Sequence, residues 1–313
     1  MATIAVIGAG HGGLAAAARL KVKGHQVTVF ENSESAITPS APLTLPAAYR
    51  DFFLKTGSAL ENQLNLVEVN SAIELPLGNG QTLTIPGSGL GRTLSEIDKR
   101  LGSVAAEQWR NYVQKLSELW IATRKDLVES QMNKSLRRTI GWKNYWQFRN
   151  YQNLIQQYLL IPELVSLAGI YRNLCATDPQ TTVGVLALNS YVQQIFGVYE
   201  PEGGSSQLTD ALVTRCSELG VDFKFNMPAT PVVEENELIG VETKNGNLVS
   251  LDFVVVNDLT RHSPLILWNS KLCYQTNVER LFVIDEHSWL GLGPAHAVLG
   301  GQIVAGLVGS ATN

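Results

Sequence analysis

Gly8, Gly10, Gly13 and Glu31 are the residues whose types and spacing suit them to bind a dinucleotide. Gly8 permits a tight turn. Gly10 lets backbone approach a pyrophosphate, and Gly13 lets a helix pack close to a strand. Glu31 supplies a carboxylate that accepts hydrogen bonds from a ribose diol. A 2′-phosphate would be repelled there, so the spacing predicts FAD or NAD rather than NADP. His11 lies between the glycines and is expected to be a spacer with an exposed side chain.

These residues need a strand, a helix and a second strand to hold them. Residues 4–7 (IAVI) have the apolar, partly β-branched look of a strand buried on both faces. Residues 14–23 are rich in Ala and Leu and predict a helix, whose N-terminus favours phosphate. Gly24 and His25 turn the chain, and residues 26–30 (QVTVF) predict a second strand ending at Glu31.

The 313 residues suffice for one large or two ordinary domains. The net charge of −4 and the lack of a basic run give no electrostatic case for a nucleic-acid partner, and none is expected. Cys175, Cys216 and Cys273 are scattered without metal-ligand spacing, which fits a reducing cytoplasm. The five histidines are scattered too, and no metal site is expected. No secretory leader is expected, because the N-terminus lacks a basic region followed by a long apolar stretch, and no membrane-spanning segment, because no run of 18 apolar residues occurs.

Residues 47–57 predict a short helix closed by Gly57. A hairpin is expected from residues 66–77 and 82–86 around Gly78-Asn79-Gly80, with Pro76 marking an edge. Residues 94–130 predict a helical block in which Trp109, Val113, Leu116, Leu119 and Trp120 share one face. Residues 140–172 also predict helix, broken at Pro162, and are dense in aromatics. Trp142, Tyr145, Trp146, Phe148, Tyr151 and Tyr158 suit an apolar substrate tunnel, a lipid surface or the packing of the helical layer. Packing is the favoured reading, since aromatic stripes at helical spacing are usually core.

A further helix is expected over 181–196. Gly203-Gly204 then turns into an amphipathic helix that carries Cys216. Short β-segments follow between residues 221 and 244, with a turn at Asn245-Gly246-Asn247. Residues 251–256 (LDFVVV) predict a buried strand ending at Asn257-Asp258. Residues 280–284 predict a last strand, and 297–308 a helix of small residues. The expected fold is α/β: a Rossmann-like FAD-binding domain from residues 1–44 and 198–313, and a mostly helical cap over 45–197.

Taken together, these stretches resemble the phytoene desaturase-like (carotenoid oxidoreductase) branch of the FAD-dependent amine-oxidase superfamily. The resemblance rests on the glycine fingerprint ending in Glu31, on LTLPAAYRDFFLKTG with its hairpin, on the long stretch from Asp178 to Gly220 containing YEPEGGSSQL, and on the C-terminal strand, G-x-G turn and helix. It implies that Gly8, Gly10 and Gly13 contact the FAD pyrophosphate and Glu31 the adenosine ribose. It also implies that Val232 meets the adenine, that Asp285 reaches the ribityl and pyrophosphate portion, and that Gly291 and Gly293 bring backbone beside the flavin ring. His287 and His296 flank that turn and are the acid–base candidates. Trp289 suits stacking beside the flavin or capping of the pocket.

Some features depart from the family pattern. The Gly-Gly-Arg or Gly-Gly-Lys segment expected soon after the ribose acid is missing from ENSESAITPSAPLTLP. Pro294-Ala295-His296 replaces the usual Val-Pro-Gly, and the span from Asp258 to Arg280 is short. The resemblance implies an FAD-dependent oxidoreductase that desaturates or isomerises an apolar, isoprenoid-like small molecule, cytoplasmic or in peripheral contact with a membrane. Two other readings stay open. GAGHGG with its Ala-rich helix also looks like the opening of NAD-dependent opine-type dehydrogenases. The departures suit a non-catalytic flavoprotein that serves as a binding or scaffold subunit.

Overall fold

Five short strands, most of them apolar, assemble into one parallel sheet at the centre of the molecule. In the computed structural model these are β1 (Thr3–Ile7), β2 (Gln26–Phe30), β7 (Asp222–Lys224), β11 (Phe253–Asp258) and β12 (Leu281–Asp285), in the order β12-β11-β1-β2-β7. The structure describes residues 1–39, 43–130, 138, 141, 148, 150–173, 184–258, 274–285 and 294–311. β1 pairs on one side with β2, Ile7 opposite Phe30, and on the other with β11, Ile7 opposite Val256. The chain therefore leaves β1 toward one edge and returns later to fill the other. That reversal opens a crevice at the carboxyl ends of β1 and β11, where ligands of open parallel sheets bind.

The helix α1 (His11–Val22) covers this sheet and is buried almost all round. Its alanines let three neighbours approach. The C-terminal helix α9 (Pro294–Val308) comes so close that a Cβ on Gly301 would lie 2.6 Å from the Gly12 carbonyl oxygen. α2 (Pro46–Lys55) is tied on by Arg19, whose Nη2 lies 2.7 Å from Asp51. α8 (Ser206–Glu218) is tied on by the Cys216 thiol, which donates to the Leu14 carbonyl at 3.3 Å. Cys216 is fully buried, and burial pushes its thiol up to about 12. In the native protein Cys216 is therefore expected to escape alkylation at pH 8, since the thiolate is the reactive form. Peptide mapping after iodoacetamide treatment checks this, and rapid labelling of Cys216 without denaturant would contradict it.

The opposite face of the sheet carries the antiparallel strands β8 (Ala229–Glu234), β9 (Glu237–Thr243) and β10 (Leu248–Val249). Leu238 and Val241 pack there with Ala5, Phe30 and Val254.

Between α2 and α8 lie β3 (Leu66–Glu68), β4 (Ile73–Pro76), β5 (Thr82–Ile85), α3 (Leu90–Leu101) and α4 (Ser103–Arg124). Past a π-helical turn at 125–129 come α5 (Tyr151–Tyr158), α6 (Pro162–Asn173), α7 (Leu188–Phe196) and β6 (Tyr199–Pro201). The apolar face of α4 is buried as its spacing requires, with Trp109, Tyr112, Val113, Leu116 and Leu119 inside. Phe148 and Tyr151 are fully buried and Tyr158 packs against Tyr112, so these three aromatics belong to the helical core. Trp142, Tyr145 and Trp146 lie outside the described residues.

The expected hairpin is corrected in its first arm. β4 and β5 pair around Gly78-Asn79-Gly80 as expected, but β3 pairs antiparallel with β6, more than a hundred residues later in the chain. The arm breaks at Asn70-Ser71, two polar residues that interrupt the apolar alternation. Pro162 opens α6 at its first position, where its missing N–H costs nothing.

Candidate functional site

The glycine turn joins β1 to α1 as the spacing predicts. Gly8 has φ +98°, a conformation that favours glycine, and its N–H donates to the Phe30 carbonyl at 2.8 Å. Gly10 caps α1 in extended geometry, and its carbonyl accepts the Leu14 N–H at 2.9 Å. Gly13 packs directly on the turn, and a Cβ there would run into the Gly8 carbonyl oxygen. The close approach of helix to strand thus falls where the glycine spacing places it.

Glu31 follows the last residue of β2, with its side chain buried. Its Oε2 accepts the Ala9 N–H at 2.7 Å and its Oε1 the Ser33 N–H at 2.9 Å. Each carboxylate oxygen keeps lone-pair capacity for a second donor. The chain leaving β7 passes beside it, with Met227 N–H on the Glu31 carbonyl and Asn226 N–H on that of Ser33, both at 2.9 Å. The Ala9 and Ser33 N–H groups thus hold the carboxylate, and the chain leaving β7 holds the backbone that carries it.

His11 corrects the expectation of an exposed spacer. It is only 2% exposed; its Nδ1 lies 2.7 Å from the Tyr49 hydroxyl and its Nε2 2.9 Å from the Thr209 hydroxyl. One ring nitrogen thus links α1 to α2 and the other links it to α8. Neither partner is near in sequence, which is why the local pattern left the side chain outside. Burial pushes the imidazole down to about 3, so the ring is neutral at physiological pH.

The unfolded chain takes up this proton near pH 6.5, while the folded chain refuses it down to about 3. The stability contributed by neutral His11 is therefore present above pH 6.5 and is lost as pH falls below it. The expected loss between pH 7 and pH 5 is about 2 kcal/mol. Urea unfolding of wild type and His11→Gln across this range measures it, and an unchanged slope in the variant would contradict it.

His11 also lines a cavity of about 200 Å³ where the N-termini of α1 and α9 meet α2 and β6. Leu43, Val69, Val198, Leu208 and Pro294 give it an apolar wall, and Tyr49, Tyr199, Glu200 and Ser205 supply polar groups. This is an apolar recess with few convergent polar atoms, set beside a dinucleotide crevice.

The remaining expected site residues are placed as follows. His296 is buried in the first turn of α9. Asp285 ends β12 in register with Asp258 of β11. Val232 is half-buried on β8, opposite Gly240 and next to a bulge. His287, Trp289, Gly291 and Gly293 lie outside the described residues. Among the described residues no group of three or more metal-ligating side chains forms, and no helix is long and apolar enough to cross a membrane.

Sequence reasoning missed Tyr49, Thr209 and Asn257. Asn257 follows the β1-paired part of β11, and both of its side-chain polar atoms are buried with no hydrogen-bond partner among the described residues. Such an amide costs about 1–3 kcal/mol for an unmade bond. The available signal was a polar residue at the end of the otherwise apolar run FVVV.

Comparison with known proteins extends this picture. Residues 6–36 match the family model of NAD(P)-binding Rossmann-like domains, and residues 60–257 match that of flavin containing amine oxidoreductases. The 4,4'-diapophytoene desaturase (4,4'-diaponeurosporene-forming) of Staphylococcus haemolyticus strain JCSC1435 is 22% identical over 299 residues, covering 84% of this chain and 58% of the relative. Its namesake in Staphylococcus aureus strain Newman is 22% identical over 253 residues, covering 74% and 49%. The chain spans about half the length of the curated relatives it matches.

Among solved structures, an oxidoreductase from Methanosarcina mazei superposes with a TM-score of 0.52 at 19% identity, over 85% of this chain and 61% of that one. Putrescine oxidase bound to putrescine superposes with a TM-score of 0.57 at 15% identity, over 86% and 60%. These likenesses establish a shared fold.

Proposed function

The chain belongs to the flavin containing amine oxidoreductase family, on its phytoene desaturase-like branch, and on that premise we propose that it is an FAD-dependent oxidoreductase acting on an apolar, isoprenoid-like hydrocarbon by desaturation or isomerisation. The observation that carries the reading is the crevice at the ends of β1 and β11, with an apolar recess beside it.

The residues present fit FAD. The glycine turn is tight enough for close backbone approach, the Glu31 carboxylate is pre-oriented with acceptor capacity to spare, and a buried amide at Asn257 is left without a partner. Gly8, Gly10, Gly13 and Glu31 would hold the ADP portion, and by the family resemblance Val232 would serve the adenine and Asp285, Gly291 and Gly293 the ribityl and ring portion. Bound flavin supplies the two-electron acceptor.

The chain's own work is binding, orientation and exclusion of water. Leu43, Val69, Val198 and Leu208 offer a hydrocarbon surface along the recess. His11 stays neutral there and holds Tyr49 and Thr209 in place, so it brings no charge against an apolar substrate. His296 and His287 are the proposed proton-handling groups. The cap spans residues 45–197, and the pairing of its strand β3 with β6, which lies just beyond its end, supports its attachment to the FAD-binding domain.

The opine-type alternative drew on the opening residues alone, whereas the flavin family's match runs on to residue 257. The test is incubation of FAD-loaded protein with 4,4'-diapophytoene in lipid vesicles, with an electron acceptor, followed by mass spectrometry. Desaturation gives a product lighter by a pair of hydrogens, and isomerisation a product of the same mass with altered retention. Unchanged substrate across linear isoprenoid hydrocarbons of several lengths would favour the scaffold reading.

A further inference from the structure

Asn257 occupies the strand position that reaches past the end of β1 beside the glycine turn. β11 pairs with β1 as far as Val256, opposite Ile7, and the next residue, Asn257, has Ile284 of β12 as its neighbour. It therefore stands in the crevice where the connections to the sheet reverse direction.

Its carboxamide lies against the turn itself. A Cβ on Gly12 would be 2.6 Å from Asn257 Oδ1, and one on Gly8 would be 3.7 Å from Nδ2. The same Gly12 position would be 3.2 Å from the Ala297 carbonyl in α9, so the amide sits near the N-terminal turns of both α1 and α9.

Packing does not account for an amide here. Asn257 is 6% exposed, and neither Oδ1 nor Nδ2 finds a partner among the described residues. The three preceding strand residues are valines, and an apolar side chain would fill the position without stranding polar atoms. A buried carboxamide without partners is uncommon in native proteins and points to a partner that arrives with a ligand. Two helix N-termini favour an anion in the same place.

We propose that Asn257 is a ligand-facing residue of the dinucleotide crevice, its Nδ2 donating to the anionic diphosphate portion of bound FAD. This rests on the FAD reading above. A neutral amide suits the role, because an aspartate at this position would repel the diphosphate and an aliphatic residue would offer it nothing.

The test uses the 313-residue wild type, Asn257→Leu and Asn257→Asp, each stripped of flavin. FAD affinity is read from quenching of flavin fluorescence, and thermal unfolding of the three apoproteins is followed in parallel. The Leu variant is expected to bind FAD about tenfold more weakly, while its apoprotein melts at or above the wild-type temperature because no unpaired amide is buried. The Asp variant is expected to bind more weakly still, with the gap to Leu narrowing as salt is raised.

An Asn257→Leu apoprotein that melts well below wild type, with wild-type FAD affinity, would show a structural carboxamide and overturn the assignment. Wild-type protein that takes up no FAD overturns the FAD reading and this proposal together. Wild-type uptake matched by equal uptake in the Leu variant overturns the role of Asn257 alone.

Discussion

Gly13→Ala is expected to yield a protein that cannot hold FAD and unfolds well below the wild-type temperature. The added Cβ meets the Gly8 carbonyl oxygen, with the Asn257 Cβ and the Val6 side chain close behind. A flexible side chain could turn aside, but the Gly8 carbonyl is backbone, and Gly8 is itself committed to φ +98°. The helix must therefore lift from the strand. α1 cannot move alone, because Gly301 of α9 packs on the Gly12 carbonyl and Cys216 of α8 is bonded to Leu14. Overpacking in a tight interior costs about 1–3 kcal/mol, and more where backbone must shift. A clash that displaces three helices belongs at or above the upper end. Thermal unfolding of the apoprotein and FAD titration measure the two effects. A variant with wild-type melting and wild-type affinity would contradict the close packing described for this turn.

Glu31→Gln is expected to weaken FAD binding by about a hundredfold. The carboxylate accepts Ala9 N–H and Ser33 N–H on its two oxygens, so it braces the glycine turn against the loop that follows β2. Glutamine has a single acceptor oxygen. Whichever way the amide turns, its NH2 group faces one of those two N–H donors. The ribose also loses one charge-assisted acceptor, and each such bond contributes about 1.5–3 kcal/mol. About 2.8 kcal/mol corresponds to the hundredfold change. Calorimetric titration of apoprotein with FAD is the check. Equal affinities would show that Glu31 serves the fold and leaves the ribose to other groups.

The parts of the site that were legible in the sequence are those whose cause is local. Gly8, Gly10, Gly13 and Glu31 sit on one strand–turn–helix–strand unit, and each is demanded by a turn, a close approach or a strand end within it. The hidden parts depend on distant partners. His11 reads as an exposed spacer until Tyr49 and Thr209, 38 and 198 residues away, are seen to close over it. β3 looks like half of a hairpin arm because its partner β6 comes from far along the chain. Asn257 is visible in the sequence as a polar residue ending an apolar run, but its lack of partners appears only once α1 and α9 are packed around it. The helical region was readable from the spacing of Trp109, Val113 and Leu116, since one-sided apolar periodicity survives without tertiary information.

The roles given to the site residues all depend on FAD binding in the crevice at the ends of β1 and β11. The visible absorption spectrum of purified protein, recorded before and after incubation with FAD and gel filtration, tests it most directly. The absorption bands of oxidised flavin, retained at about one flavin per chain, are the expected result. A colourless protein that retains no FAD after incubation, yet binds NADH, would contradict it.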